Sequence, residues 1–262
     1  MFEVGEAYEQ ILGRWSQQLA PLFVKFVGVG EGEKVLDVGC GTGSLSATLA
    51  QVTGASKIVG IDPSKGFIEY ARTQISDPRV TFEVGDAQNL PYPNDSFDRA
   101  MDLLVVGFVP DPGKAAREKR RVTKSGGVVA TATWDLSSAN ELNGCLWTAA
   151  MAIDPTVQRP AAKLGSYNSA EALSGLLKSS GITDIDVTDL TMPCQFASFD
   201  KLWERYLSGE GPSGAFVVGL SEDRREALKE RLRHDVLRGK AEWSGYVDGE
   251  SMGCAWNGAL TV

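Results

Sequence analysis

Apolar positions recur with two different periods along these 262 residues, and the periods alternate. In residues 6 to 29, Tyr8, Ile11, Leu12, Trp15, Leu19, Leu22, Phe23 and Phe26 stand near helical spacing around Pro21, which predicts one or two amphipathic helices. Val35, Leu36 and Val38 then form the apolar run of a fully buried strand. Leu45, Leu49 and Val52 return to helical spacing over Ser44 to Val52. The exchange repeats: Lys57 to Ile61 predicts a second strand before a helix near Lys65, and Val80 to Val84 a third strand. Ser96 to Val106 predicts a fourth, Pro112 to Val122 a helix and Val128 to Thr133 a fifth strand. Strands alternating with helices predict an α/β chain with a parallel sheet.

Beyond residue 135 the alternation loosens. Leu142, Leu146, Trp147, Ala150 and Met151 predict a helix within residues 136 to 165. Ser169 to Gly181 reads as a capped helix, with Ser169 at its start and Gly181 past its end, and Ile182 to Leu190 as a sixth strand. Residues 199 to 239 hold Trp203 and Tyr206, a glycine-rich loop from Gly209 to Gly214, and a helix from Ser221 to Leu237 whose charges predict a solvated face. Met252 to Val262 reads as the last strand.

The chemistry gathers where strands end. Gly39, Gly41 and Gly43 lie between the carboxyl end of the first strand and the amino end of a helix, the crevice where open α/β sheets bind ligands. Their spacing is G-x-G-x-G, whereas a dinucleotide fold would show G-x-G-x-x-G. Asp37, two residues before the first glycine, is poorly placed for a phosphate and well placed for an ammonium group. Asp62 follows Gly43 by 19 residues, at the end of the second strand, where a carboxylate can accept from both hydroxyls of a ribose. After the third strand comes Gly85-Asp86-Ala87-Gln88-Asn89-Leu90-Pro91.

The string Lys34-Val-Leu-Asp-Val-Gly-Cys-Gly-Thr-Gly-Ser-Leu45, together with Gly85 to Pro91, resembles the class I S-adenosylmethionine-dependent methyltransferases, in their small-molecule (type 11-like) branch. Gly13-Arg14-Trp15-Ser16 is similar to a segment of one such branch, and Thr123-Lys124-Ser125-Gly126-Gly127 to the Leu-Lys-Pro-Gly-Gly turn before the fifth strand. The resemblance implies a Rossmann-like, doubly wound sheet of seven mostly parallel strands, with an antiparallel last strand and helical cap insertions. It implies one methyltransferase domain over residues 1 to 262, with acceptor-specificity segments at 1–29, 136–168 and 195–239. The implied cofactor is S-adenosyl-L-methionine, held by Arg14 at its carboxylate, by Asp37, Gly39, Cys40, Gly41 and Gly43, and by Asp62 and Pro63. Asp86 and Ala87 would meet the adenine, and Leu103 the amino-acid part. The reaction would be an in-line methyl transfer to a small-molecule O, N or C nucleophile. Two other readings stand beside it: a nicotinamide oxidoreductase and a non-catalytic module that binds the cofactor or its thioether product.

Composition narrows the partners. Thirty-four acidic against 26 basic residues, a formal net charge of -8, argue against nucleic acid and anionic membranes, whose binding rests on Lys and Arg. Cys40, Cys145, Cys194 and Cys254 are dispersed, which suits free thiols in a cytoplasmic protein and neither a zinc site nor arsenite chemistry. His234 is the single histidine, so no metal is expected, and Gly107 and Phe108 stand where many relatives carry a histidine pair. Tyr8, Asp102, Trp134, Trp147, Tyr167 and Tyr206 are the groups that could touch an acceptor; none is singled out as catalytic, and Asp102 reads either as a base or as a hydrogen-bonded structural group. The acceptor, the attacked atom and the oligomeric state are not encoded in any of these patterns.

Overall fold

The computed structural model describes residues 13–134, 141–158, 167, 169–190, 196, 198–209, 211–237 and 255–261. Tyr8, Asp135, Cys194 and Cys254 lie outside the described residues, as does the side chain of Arg14. The chain runs α1 (Arg14–Val27), β1 (Lys34–Val38), α2 (Ser44–Val52), β2 (Lys57–Asp62), α3 (Lys65–Gln74), β3 (Val80–Val84) and β4 (Phe97–Leu103). A 3-10 turn (Val106–Phe108), α4 (Pro112–Val122), β5 (Thr123–Trp134), α5 (Glu141–Ile153), α6 (Ala170–Ser179) and β6 (Ile185–Leu190) follow. α7 (Phe199–Leu207), α8 (Gly211–Gly219), α9 (Glu222–Leu237) and β7 (Ala255–Thr261) complete it.

Five parallel strands in the order β3-β2-β1-β4-β5 carry the α/β expectation through. The order continues β5-β7-β6, with β7 antiparallel to both neighbours. Strand order reverses between β1 and β4, so their carboxyl ends open a crevice at a topological switch point. β1 is buried from Val35 onward and β2 from Ile58, as strands covered on both faces must be. Leu36, Val38, Val59 and Ile61 join Leu90, Phe97, Ala100 and Val122 in one core cluster beneath the crevice. Each of these side chains larger than Ala100 contributes about 2 kcal/mol on burial.

Local chemistry sets the helix ends. Ser64 caps α3 by accepting from the amide of Phe67 at 3.3 Å, and Asp111 caps α4 from Lys114 at 2.8 Å with Pro112 in the first turn. α1 runs unbroken through Pro21 and stops at Gly28, whose φ is 67°. The sequence reading differs from the structure at several places. β5 starts at Thr123 rather than Val128, so the segment Thr123–Gly127 expected as a turn runs within the strand, and β6 starts at Ile185 rather than Ile182. β4 stops at Leu103 rather than Val106, because Leu104 takes a left-handed backbone with φ 63°. The predicted glycine-rich loop enters helix α8 at Gly211, and the solvated helix α9 buries Leu228 and Leu232, one turn apart.

Packing divides the chain into two compact units. One comprises Met1–Asp135, Leu164–Leu190 and Ala255–Val262; the other comprises Leu136–Lys163 and Thr191–Cys254. The first holds the sheet and its crevice. The second is helical in its described residues, with Trp147 against Phe216 at 4.8 Å between ring centroids and Trp203 edge-on to Tyr206 at 6.2 Å.

Candidate functional site

The exits of β1, β2 and β3 are tied together at β2. The amides of Gly39 and Cys40 both donate to the Ile61 carbonyl, at 2.7 and 3.1 Å, which carries the β1–β2 ladder into the glycine turn. The amide of Gly85 donates to the Asp62 carbonyl at 3.1 Å. Asp62 then uses its side chain in the same way: Oδ2 accepts from the amide of Gly41 at 3.0 Å and Oδ1 from that of Ser64 at 2.8 Å. Burial raises its carboxyl above the ordinary range, while the amides of Ser64 and Gly41 oppose the rise. Each oxygen retains a second lone pair for a hydroxyl donor.

Two glycines show why this turn admits no side chain. Gly39 has φ 71°, and a Cβ there would stand 2.6 Å from a methyl carbon of Val105. The β1 exit thus packs directly on the chain just past β4. Gly41 has φ 52°, and a Cβ there would meet nothing within 4 Å, so its face of the loop is open.

Asp37 lies beneath this loop with its side chain fully buried. Its Oδ2 accepts from the hydroxyl of Ser46 at 2.7 Å, and its Oδ1 is the one buried side-chain polar atom among the described residues without a hydrogen-bond partner. Burial pushes its carboxyl up to about 7, against the hydrogen bonds from Ser46. An unpaired buried oxygen costs about 1 to 3 kcal/mol.

The other expected residues are distributed as follows. Cys40 buries its thiol among Ile68, Ala71 and Phe82, and burial raises the thiol well above its usual value, so only its backbone borders the loop. Pro63 is exposed beside Asp62, and Gly43, with φ 94°, caps α2. Asp86 is exposed, its Oδ1 accepting from the amide of Gln88 at 2.9 Å, while Ala87 is buried in the core under it. Leu103 is buried at the end of β4. Arg14 is in α1, at a position whose side chain lies outside the described residues.

Of the two readings of Asp102, a base or a hydrogen-bonded structural group, its surroundings are those of the second. It is buried, and its Oδ1 accepts from the ammonium of Lys119 and from the hydroxyl of Thr131 at 2.8 Å. Trp147 and Tyr206 are buried in aromatic pairs, whereas Trp134 is half-buried at the end of β5 and Tyr167 packs on the cluster around Leu173 and Leu177. Ser46, Glu118, Lys119 and Arg121 were not anticipated. Lys119 had a signal: it interrupts the buried stripe Ala115, Ala116 and Val122 of α4. Among the described residues no group of three or more His, Cys, Asp or Glu side chains could hold a metal ion, and no helix is long and apolar enough to cross a membrane.

Residues 36–131 match the family model described as a methyltransferase domain. The chain is 42% identical over 108 residues to the methyltransferase GfsG of Streptomyces halstedii, covering 40% of this chain and 38% of that protein. It is 30% identical over 202 residues to the 2-methyl-6-phytyl-1,4-hydroquinone methyltransferase of Synechocystis sp., covering 74% of this chain and 61% of the relative. The chain therefore spans less than two thirds of either relative. A SAM-dependent methyltransferase of Thermotoga maritima, described as a possible histamine N-methyltransferase, shares the fold with a TM-score of 0.55 at 22% identity, over 97% of this chain and 94% of that one.

Proposed function

We propose that this chain is a class I methyltransferase, on the match of its residues 36–131 to a methyltransferase domain, and that it binds S-adenosyl-L-methionine and directs its methyl group to a small-molecule O, N or C nucleophile. The observation that carries the reading is the unpartnered Oδ1 of Asp37 under an open glycine turn with a second carboxylate, Asp62, beside it. A ligand bearing an ammonium group and a ribose satisfies both acids. On this reading Asp62 takes the ribose hydroxyls with Pro63 alongside, and Asp86 and the Ala87 backbone take the adenine. The backbone of Gly39, Cys40, Gly41, Gly43 and Leu103 lines the amino-acid part, and Arg14 meets its carboxylate. The antiparallel β7 is then the last strand of a seven-stranded sheet.

When bound, the cofactor supplies a methyl group on a positively charged sulfur, with a neutral thioether as leaving group. What remains for the protein is alignment and exclusion of water, and positioning alone can lower a barrier by about 7 to 11 kcal/mol. Asp102 is engaged by Lys119 and Thr131, and Gly107 and Phe108 offer no proton acceptor. The acceptors suited to this crevice are therefore already nucleophilic: an ionised phenol or carboxylate, an uncharged amine or an electron-rich ring carbon. The hydroquinone relative is named for an acceptor of that chemistry. On this reading residues 1–29, 136–168 and 195–239 choose the acceptor, and a cytoplasmic location accords with the dispersed cysteines.

Calorimetry of the full chain against S-adenosylmethionine and NAD tests the cofactor, and tighter binding of NAD overturns it. Release of S-adenosylhomocysteine in a screen of phenols, catechols, quinols and amines tests the transfer. Tight cofactor binding with no release from any of them favours a non-catalytic binding module instead.

A further inference from the structure

Helix α4 contributes no residue to the proposed cofactor site, yet three of its charged side chains end on the segments that form it. Arg121 and Glu118, one turn apart, make a two-point ion pair: Nε donates to Oε1 and Nη2 to Oε2, each at 2.7 Å. The outer edges of the pair grip the segment after Asp86. Glu118 Oε2 accepts from the amide of Leu90 at 2.9 Å, Arg121 Nη2 donates to the Leu90 carbonyl at 3.0 Å, and Nη1 donates to the Tyr92 carbonyl at 2.7 Å. Both backbone groups of Leu90 are thus completed by side chains, as a neighbouring strand would complete them. The bond from Arg121 is the main reason the Glu118 carboxyl is held below its usual range.

Lys119 leaves the helix about 100° away from Glu118. Its ammonium donates to Asp102 Oδ1 and, at 2.6 Å, to the hydroxyl of Thr131. Asp102 immediately precedes Leu103, and two residues further Val105 packs on Gly39. A small cavity bordered by Val38, Ala87, Asp102, Val105, Lys119 and Thr131 brings these contacts to one place under the crevice. A buried ammonium that met nothing else would be driven toward neutrality, and burial does lower Lys119. The carboxylate of Asp102 is its counterweight.

We propose that α4 is the positioning element of the cofactor site: Glu118 and Arg121 hold the nucleobase loop 86–90, and Lys119, through Asp102, holds the β4 exit at Leu103–Val105. This rests on the site reading given above. A helix that only stabilised the fold would affect every ligand alike. Two separate grips affect two ends of the ligand separately.

The test compares the wild type with Glu118→Gln, Arg121→Lys, Lys119→Met and the double variant Asp102→Leu/Lys119→Met. It reads calorimetric binding of adenosine and of S-adenosylhomocysteine, and amide hydrogen exchange of the unliganded full chain. Glu118→Gln and Arg121→Lys are expected to weaken both ligands by the same factor, about five- to tenfold, the effect of one or two hydrogen bonds. Exchange then accelerates at 86–92 and not at 103–109. The Lys119 variants are expected to leave adenosine binding unchanged, to weaken S-adenosylhomocysteine by a similar factor and to accelerate exchange at 103–109. Should Lys119→Met not fold, the double variant replaces the ion pair by apolar side chains and serves the same comparison. Folded variants that bind both ligands as the wild type does, or lose both ligands equally with exchange raised throughout, overturn the proposal. A wild type that binds neither ligand overturns the site reading instead, and the two exchange windows then decide the role of α4 alone.

Discussion

At Asp37 the polypeptide holds a carboxyl group whose ordinary value of 3.8 is pushed up to about 7 by complete burial. The folded chain thus keeps a proton there that the unfolded chain has lost, and between pH 4 and 7 stability falls as pH rises. The difference corresponds to about 4 kcal/mol as an upper bound. Asp37→Asn is expected to raise the melting midpoint of the ligand-free protein above pH 7, by removing an ionised group that lacks a partner, and to leave it unchanged near pH 4. The same substitution is expected to weaken S-adenosylmethionine by tenfold or more, about the 1.5 to 3 kcal/mol of a charge-assisted bond. In the wild type, cofactor affinity should increase from pH 6 to 8 with proton release, because the cation favours the ionised acid. Asp62→Ala carries a smaller expectation: a loss of at least about 1 kcal/mol in cofactor binding, since the ribose acceptor and the tether to Gly41 disappear together. A pH-independent affinity would remove Asp37 from the site, and an unaltered one in Asp62→Ala would remove Asp62. Both acids were legible in the sequence because each stands beside a strand end marked by glycine or proline. The partner of Asp102 was not, since Lys119 is 17 residues away and meets it only once α4 lies on β4.

Among the elements, β1 to β3 were readable to within a residue or so: β1 and β2, covered on both faces, leave nearly continuous apolar runs, and β3, at the sheet edge, alternates apolar with polar positions. The end of β4 was not. Apolar residues continue past Asp102 from Leu103 through Val106, and nothing in that composition announces that Leu104 turns left-handed while donating its amide to the Ala132 carbonyl at 2.7 Å. Nor did the glycines between 209 and 214 announce α8, whose helical conformation overrides their intrinsic preference. The bend at Leu104 has a use, for it brings Val105 against Gly39 and so joins the exits of β1 and β4. Gly39→Ala meets two costs there, a left-handed φ and a methyl contact at 2.6 Å, and is expected to destabilise by about 2 kcal/mol or more. Val105→Ala in that background should recover the steric part and leave the backbone part. Denaturant midpoints of the two single variants and the double variant check it: strict additivity would mean that the two exits do not press on one another.

On the scale of the whole molecule, the two compact units have different chemistry available. The sheet unit carries Asp37, Asp62 and the loops tied to them, whereas the helical unit carries the aromatic pairs Trp147 with Phe216 and Trp203 with Tyr206 and none of the proposed cofactor residues. From the formal net charge of -8 of the whole chain, no salt-sensitive retention on duplex RNA is expected. If cofactor and acceptor are divided between the units as proposed, their protection patterns separate. S-adenosylhomocysteine at 100 times its dissociation constant is expected to stabilise by about 2.7 kcal/mol and to slow amide exchange at 39–44, 62–64 and 86–90. A phenolic acceptor added next is expected to slow exchange in α5 and α7. Protection confined instead to the sheet unit would move acceptor choice to the exits of β4 and β5. There Phe108 is 45% exposed and Trp134 half-buried, two aromatic faces large enough to stack on a ring.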